Sequence, residues 1–112
     1  MNFEWFKRSM PAKHVFRALG LEDHLDEAVS WSHLRRLIVA FNDCDEGHFV
    51  NRARRYDGYC SSGERVLLHA ILHICDFSDL ADEFDEGRTW HRMTNASGEF
   101  RQAVAACVAA EV

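Results

Sequence analysis

The amino-acid sequence predicts an all-α protein, a compact bundle of about six to eight short helices around a central apolar helix at about residues 62–75. Three observations support this prediction. Apolar residues recur at helical spacing, no stretch of four or more residues alternates strictly between apolar and polar, and β-branched residues are scarce. With 112 residues, of which 47% are hydrophobic, the chain is long enough for a single helical domain, 1–112, with a substantial core.

Serine, proline and glycine mark where the first helices begin and end. Ser9 followed closely by Pro11 is typical of a helix start, and Gly20 is typical of its stop. Ser30 is a predicted N-cap for the next helix, which ends before Gly47. Its apolar stripe has positions i, i+3, i+7 and i+10 with one leucine beside them: Trp31, Leu34, Ile38, Phe41 and Leu37.

Three aromatic residues stand ahead of these helices: Phe3, Trp5 and Phe6. No strong helix signal accompanies them. We expect them to pack into the core, because large aromatic side chains bury much apolar surface. Attachment to a partner, or to a second copy of the chain, is the alternative, since aromatic residues are enriched at interface hot spots.

The central helix follows the segment YCSSGE. Ser61 and Glu64 have the spacing of a capping box, in which the serine hydroxyl accepts from the glutamate amide and the carboxylate returns to the serine amide. The residues that follow are apolar almost all round the helix, which predicts burial on every side. One polar strip remains, and we expect it to face solvent, with a place in a contact as the alternative: Arg65, His69, His73 and Asp76.

Two further helices are predicted after the central one. Ser78 is a candidate cap for a short acidic helix that ends before Gly87. Ser97 is a candidate start for a last helix, which is rich in alanine. The larger apolar residues of that last helix are Phe100, Val104, Cys107 and Val108.

The sequence predicts no catalytic set. Cys60 is the strongest candidate, because the positive end of a helix dipole lowers the pKa of a thiol and favours its nucleophilic form. A phosphatase loop places an arginine six residues after its cysteine, whereas Arg65 follows Cys60 by five, and Glu64 would repel a phosphate. Capping is therefore the favoured interpretation of this segment. A small enzyme with Cys60 as nucleophile is an alternative.

No metal and no cofactor are predicted. His69 and His73 are spaced i, i+4, which places two imidazoles on one helical face, as some zinc sites require. The residue after the first histidine is alanine rather than the glutamate of a zinc peptidase. Further ligands would have to come from Cys44, His48 or Cys60, and the chain has no paired CxxC motif. A zinc-stabilised helical module is therefore a second alternative.

Acidic residues outnumber basic ones, 18 against 13, and the net charge is −5. This balance argues against direct binding of nucleic acid, which requires a basic face. The acids form three clusters: Glu22, Asp23, Asp26 and Glu27; Asp43, Asp45 and Glu46; Asp76, Asp79, Asp82, Glu83, Asp85 and Glu86. Five arginines balance them: Arg35, Arg36, Arg52, Arg54 and Arg55. For the last three, an ion-paired surface is expected, with anion binding as the alternative.

The third acidic cluster, DFSDLADEFDEG at residues 76–87, is the predicted partner-binding site. Phe77, Leu80 and Phe84 have spacing i, i+3 and i+7, which would dock one side of a helix on the core and leave the carboxylates outward. Rows of carboxylates imitate the phosphate charge of nucleic acid and suit a basic protein surface. A solvated amphipathic helix is the alternative. The predicted contact residues are Asp76, Asp79, Asp82, Glu83, Asp85 and Glu86.

We expect a cytoplasmic location and no contact with a membrane. No segment approaches the roughly 18 consecutive apolar residues that span a bilayer. The N-terminus lacks the apolar run of a signal peptide. Reduced thiols are therefore expected for all four cysteines, Cys44, Cys60, Cys75 and Cys107.

The segment RRYDGYCSSGERVLLHAILHICDF and the tail SGEFRQAVAACVAAE resemble small proteins carried on proteobacterial phages and mobile elements, from which anti-CRISPR inhibitors are drawn. The likeness covers roughly residues 54 to 110. It implies a small cytoplasmic protein that acts by stoichiometric binding. Together with the acidic clusters, this predicts a non-enzymatic inhibitor of a nucleic-acid-handling complex, with a basic protein surface as partner. Formation of a homodimer is left open.

Overall fold

Seven helices form the part of the chain that the structure describes. The computed structural model describes residues 2–44, 48–75, 77 and 98–110, without the side chains of Cys44, His48, Ser62 and Ala110. The helices are α1 (Phe3–Arg8), α2 (Met10–Ala18), α3 (Glu22–Glu27), α4 (Trp31–Cys44), α5 (His48–Asp57), α6 (Ser62–Ile74) and α7 (Gly98–Ala110). These residues contain no strand, and the radius of gyration is 12.5 Å, as expected of a compact chain. The predicted all-α bundle of short helices is confirmed.

Helix α6 lies at the centre of the bundle. It packs most extensively against α7 and also contacts α2 and α5. Every residue from 66 to 72 is buried, because this helix is apolar on nearly all sides and its neighbours cover it. The buried residues include His69, which has no exposed surface. The prediction of a solvent-facing polar strip is therefore wrong at His69.

All seven helices contribute to one contiguous core. The aromatic N-terminus packs into it as predicted, with Phe3 and Phe6 contacting Trp31 at ring-centroid distances of 5.1 and 4.8 Å. These residues belong to α1, a helix that the sequence analysis did not predict. Its N-cap is Asn2, whose side chain accepts a 2.9 Å hydrogen bond from the amide of Trp5.

The first helix boundaries are confirmed by their capping contacts. The Ser9 hydroxyl donates to the carbonyl of Phe6 at 2.7 Å and accepts from the amide of Ala12 at 3.3 Å, so one side chain joins α1 to α2. Gly20 ends the turn after α2 with φ +74°, a conformation that favours glycine. Ser30 accepts from the amide of the third residue of α4 at 3.1 Å. The boundaries predicted at Gly47, Ser78, Gly87 and Ser97 lie outside the described residues.

The apolar stripes of α4 and α7 lie against the core, with one exception. On α4, Leu34 and Ile38 are fully buried, and Trp31, Leu37 and Phe41 are partly buried against them. On α7, Val104 and Cys107 are buried, whereas Val108 is 38% exposed. Val108 lies at the edge of the buried face of α7, which is formed by Ala103, Val104, Ala106 and Cys107.

Two observations bear on the expected surroundings of the chain. Cys60, Cys75 and Cys107 are buried thiols, and the side chain of Cys44 is outside the description. In the described ranges, none of the helices combines the length and the hydropathy needed to cross a bilayer.

Candidate functional site

The six carboxylates predicted to bind a partner lie outside the described residues: Asp76, Asp79, Asp82, Glu83, Asp85 and Glu86. Asp45 and Glu46 of the second cluster do so as well. Phe77 is described. Its ring lies 5.0 Å from that of Phe49, so the segment begins against the core. The first acidic cluster is the one that the structure describes in full.

Helix α3 presents this first cluster to solvent. Leu25 is fully buried and holds the short helix to the core, whereas Asp23, Asp26 and Glu27 are exposed. Asp26 and Glu27 stand in the last turn, where the carbonyl end of the helix carries partial negative charge. Neither of these two carboxylates forms an ion pair or hydrogen bond with another described residue. Their charge therefore opposes the stability of α3 and has no partner in the described part of the fold.

Asp57 at the end of α5 contacts two polar side chains of α6. Its Oδ1 lies 2.7 Å from Nε2 of His69 and 3.5 Å from Nε of Arg65. Because an ionised carboxylate can only accept, Nε2 of His69 donates the hydrogen. The backbone carbonyl of Asp57 accepts a second bond from Arg65 at 3.0 Å. The polar strip of α6 therefore faces α5 at these two positions and fastens one helix to the other.

The zinc alternative involves five residues, of which three have described side chains: Cys60, His69 and His73. The Nε2 atom of His69 is occupied by Asp57. Within the described residues, no group of three or more histidine, cysteine or acidic side chains is arranged to hold a metal ion. The side chains of Cys44 and His48 lie outside the description. The geometry gives this alternative no support.

The capping box at Ser61 and Glu64 is confirmed. The Glu64 carboxylate also accepts a 2.9 Å hydrogen bond from the hydroxyl of Tyr56 and lies 3.0 Å from Nε2 of His14. It therefore connects α2, α5 and α6. Burial alone would raise the pKa of Glu64. The hydrogen bonds from Tyr56 and Ser61 and the imidazole of His14 outweigh burial and hold that pKa below its ordinary value. Burial and the nearby Glu64 carboxylate raise the pKa of Tyr56.

Cys60 does not have the surroundings of a reactive thiol. Its side chain is buried just ahead of α6, with 9% of the residue exposed. Burial raises the pKa of the Cys60 thiol, and Asp57 and Glu64 raise it further, which outweighs the opposing charge of Arg65. A nucleophilic cysteine needs the reverse shift. Cys60 therefore serves the packing of the α5–α6 turn.

We expect Glu64→Gln to flatten the acid limb of the stability profile. Glutamine keeps the shape of the capping box but cannot ionise. A carboxylate whose pKa is lower in the folded state binds fewer protons there, so its stabilisation is present above the ordinary pKa of 4.5 and is lost as pH falls through the folded pKa. Urea unfolding should therefore give wild type a larger free energy of unfolding than the variant at neutral pH. This difference should shrink as the pH is lowered. Glu99→Gln, which removes an exposed carboxylate, controls for charge. A constant difference at all pH values would contradict this role of Glu64.

The arginines of α5 fall into two groups. Arg52 and Arg55 line an open cleft together with Arg17 of α2, whereas Arg54 is exposed and does not line it. The sequence pattern did not indicate Arg17, which lies 35 residues before Arg52. Nor did it indicate Tyr59, which lines the same cleft. One signal was available for α5, since Arg52 and Arg55 have the spacing i, i+3 of a single helical face, whereas Tyr59 lies two residues past the end of α5.

Comparison of the chain with family models, with curated proteins and with solved structures finds no match. The resemblance of residues 54 to 110 to phage and mobile-element proteins thus stays a prediction. What the structure contributes toward function is therefore its own surface chemistry: the exposed carboxylates of α3 and the arginine cleft between α2 and α5.

Proposed function

We propose that the protein acts by stoichiometric binding rather than by catalysis, as an inhibitor that offers carboxylates to the basic surface of a nucleic-acid-handling complex. The observation that carries this proposal is the outward display of Asp23, Asp26 and Glu27 on α3. Two of these carboxylates stand where the helix dipole disfavours them. Charges that oppose the local fold and have no partner within the described residues are well suited to a contact with another molecule.

The roles of the reactive side chains support the same proposal. The Cys60 thiol has a raised pKa, and His69 is fully buried against Asp57. Glu64 is committed to the capping box and to Tyr56. Each of these groups holds helices together, whereas a catalytic group must be free to meet a substrate. Surface charge is then the feature left for recognition, and it would also speed association with a basic partner.

The test is target-DNA binding by purified RNA-guided effector complexes, single-chain and multi-subunit, with and without this protein. We expect about one molar equivalent to abolish DNA binding by a susceptible complex, and rising salt to weaken the inhibition. Asp26→Asn with Glu27→Gln should raise the concentration needed by about tenfold. The set Asp79→Asn, Asp82→Asn, Asp85→Asn and Glu86→Gln tests the predicted third cluster in the same assay.

A matched control is Glu4→Gln with Glu99→Gln, which also removes two exposed carboxylates but in the first turns of α1 and α7. It should inhibit like wild type. The α3 pair should melt at the wild-type temperature or slightly above it, because its carboxylates stand at the wrong end of the helix dipole. The proposal is wrong if no complex loses DNA binding at a large molar excess of this protein. It is also wrong if the variants that replace the carboxylates by amides inhibit as well as wild type.

A further inference from the structure

We propose that the cleft between the C-terminal end of α2 and α5 binds a nucleoside monophosphate, with the phosphate on Arg17, Arg52 and Arg55 and the base on Tyr59. The cleft has a volume of about 580 Å³. Pockets for small ligands usually span about 300 to 1,000 Å³. This site is separate from the acidic surface of α3 and does not depend on the inhibitor proposal.

The cleft carries more positive charge than its surroundings neutralise. Three guanidinium groups line it. One described carboxylate, that of Glu22, pairs with one of them, and its Oε2 lies 2.6 Å from Nε of Arg17. The guanidinium of Arg55 is exposed and forms no ion pair or hydrogen bond with another described residue. The cleft therefore keeps a net charge of +2 from these four groups. A phosphate monoester carries nearly two negative charges at neutral pH and complements it.

Arg52 is held in place before any ligand arrives. Its Nη1 donates to the backbone carbonyl of Leu19 at 2.8 Å, and its guanidinium lies 5.4 Å from the ring centroid of Phe41. Gly20 makes this approach possible, because a Cβ atom there would collide with that guanidinium. An arginine has five N–H donors, and the bond to Leu19 occupies one of them. The remaining donors suit the paired hydrogen bonds that guanidinium groups form with phosphate oxygens.

Tyr59 supplies an aromatic surface beside this charge. The residue is 66% exposed, although its ring is large and apolar, and it lines the cleft with the arginines. Its ring contacts that of buried Tyr56 edge-on, with centroids 5.4 Å apart, so it is supported from behind. A supported, exposed aromatic ring next to clustered arginines is the combination that proteins use to stack a base and hold its phosphate.

Calorimetric titration of the full chain with AMP tests the proposal, with adenosine and ribose 5-phosphate as ligands that lack the phosphate and the base. We expect AMP to bind more tightly than either. Arg55→Gln should weaken AMP binding by about tenfold or more, because it removes charge-assisted hydrogen bonds. Tyr59→Ala should bring AMP down to the affinity of ribose 5-phosphate, a loss of about fivefold or more. Amide shifts at Gly20 and Asn51 should report occupancy.

The matched control is Arg36→Gln, which removes an exposed arginine of α4 that does not line the cleft. It should bind AMP like wild type. Arg55 and Tyr59 are exposed, so their variants should fold normally, and circular dichroism checks this. Absence of binding at millimolar AMP, an Arg55→Gln variant with wild-type affinity, or equal binding of AMP and ribose 5-phosphate would each overturn the assignment. A phosphoserine peptide that displaces AMP at lower concentration would also overturn it.

Discussion

Replacement of Phe6 by alanine is expected to lower the free energy of unfolding by about 3 to 5 kcal/mol. Phe6 has no exposed surface, and its ring lies 4.8 Å from that of Trp31, which joins α1 to α4. The six-residue helix α1 is too short to persist without tertiary contacts. Loss of the ring should therefore release α1 as well as leave a cavity. Urea unfolding followed by circular dichroism measures the loss of stability, and amide exchange in α1 measures the release of that helix.

Met10→Ala is the control for this experiment. Met10 begins α2 close to Phe6 in the chain, but it is 72% exposed, and its truncation should change stability by less than about 0.5 kcal/mol. The result also decides between the two interpretations of the aromatic N-terminus. A loss below about 1 kcal/mol for Phe6→Ala would mean that the ring is not part of the core, and would favour attachment to a partner instead.

Features of the fold that depend on neighbouring residues could be predicted from the sequence. Capping at Ser9, Ser30 and Ser61 involves partners three residues away, so the pattern contains both ends of each bond. Burial of α6 follows from its own composition, because a helix that is apolar on all sides must be covered. Helix α1 was missed because six residues are too few to show a period.

Features that depend on the packing of separate helices could not be predicted. The helical wheel placed His69 correctly on the one polar strip of α6, but it contained no information that Asp57 at the end of α5 would cover it. The arginine cleft is a similar case. Arg17 and Arg52 line one cleft because Arg52 of α5 donates to the carbonyl of Leu19 at the end of α2, and the 35-residue separation leaves no periodic signal. Sequence patterns describe one helix at a time, whereas both of these sites are shared between two helices.

Replacement of Asp57 by alanine is the second large effect that we expect, a loss of about 2 to 4 kcal/mol. Asp57 accepts from His69, which is fully buried, and pairs with Arg65, whose side chain is about one-third exposed. Removing the carboxylate leaves the Nε2–H of His69, a residue with no exposed surface, without this acceptor. A buried donor that loses its acceptor costs more free energy of unfolding than an ordinary hydrogen bond contributes. Denaturant unfolding at neutral pH measures it.

Asp57→Asn separates the hydrogen bond from the charge. Asparagine retains one oxygen acceptor for His69 but gives up the ionic attraction to Arg65, so it should cost about 1 kcal/mol and fall between wild type and Asp57→Ala. Equal losses for asparagine and alanine would show that the charge, rather than the acceptor, matters to the α5–α6 pair. Asp43→Asn, an exposed position on α4, is the control for loss of an acid.

A double-mutant cycle with His69→Leu then tests whether Asp57 stabilises the fold through His69. Leucine has a similar volume and needs no acceptor, so it suits the buried site of α6. If the two side chains act as a pair, Asp57→Ala should cost much less in the His69→Leu background, with a coupling energy of about 1 to 3 kcal/mol. The part that remains belongs to Arg65, which keeps its bond to the backbone carbonyl of Asp57 in every variant. Additive losses would mean that the 2.7 Å contact contributes little, and that the Asp57 carboxylate stabilises the helix pair through Arg65 instead.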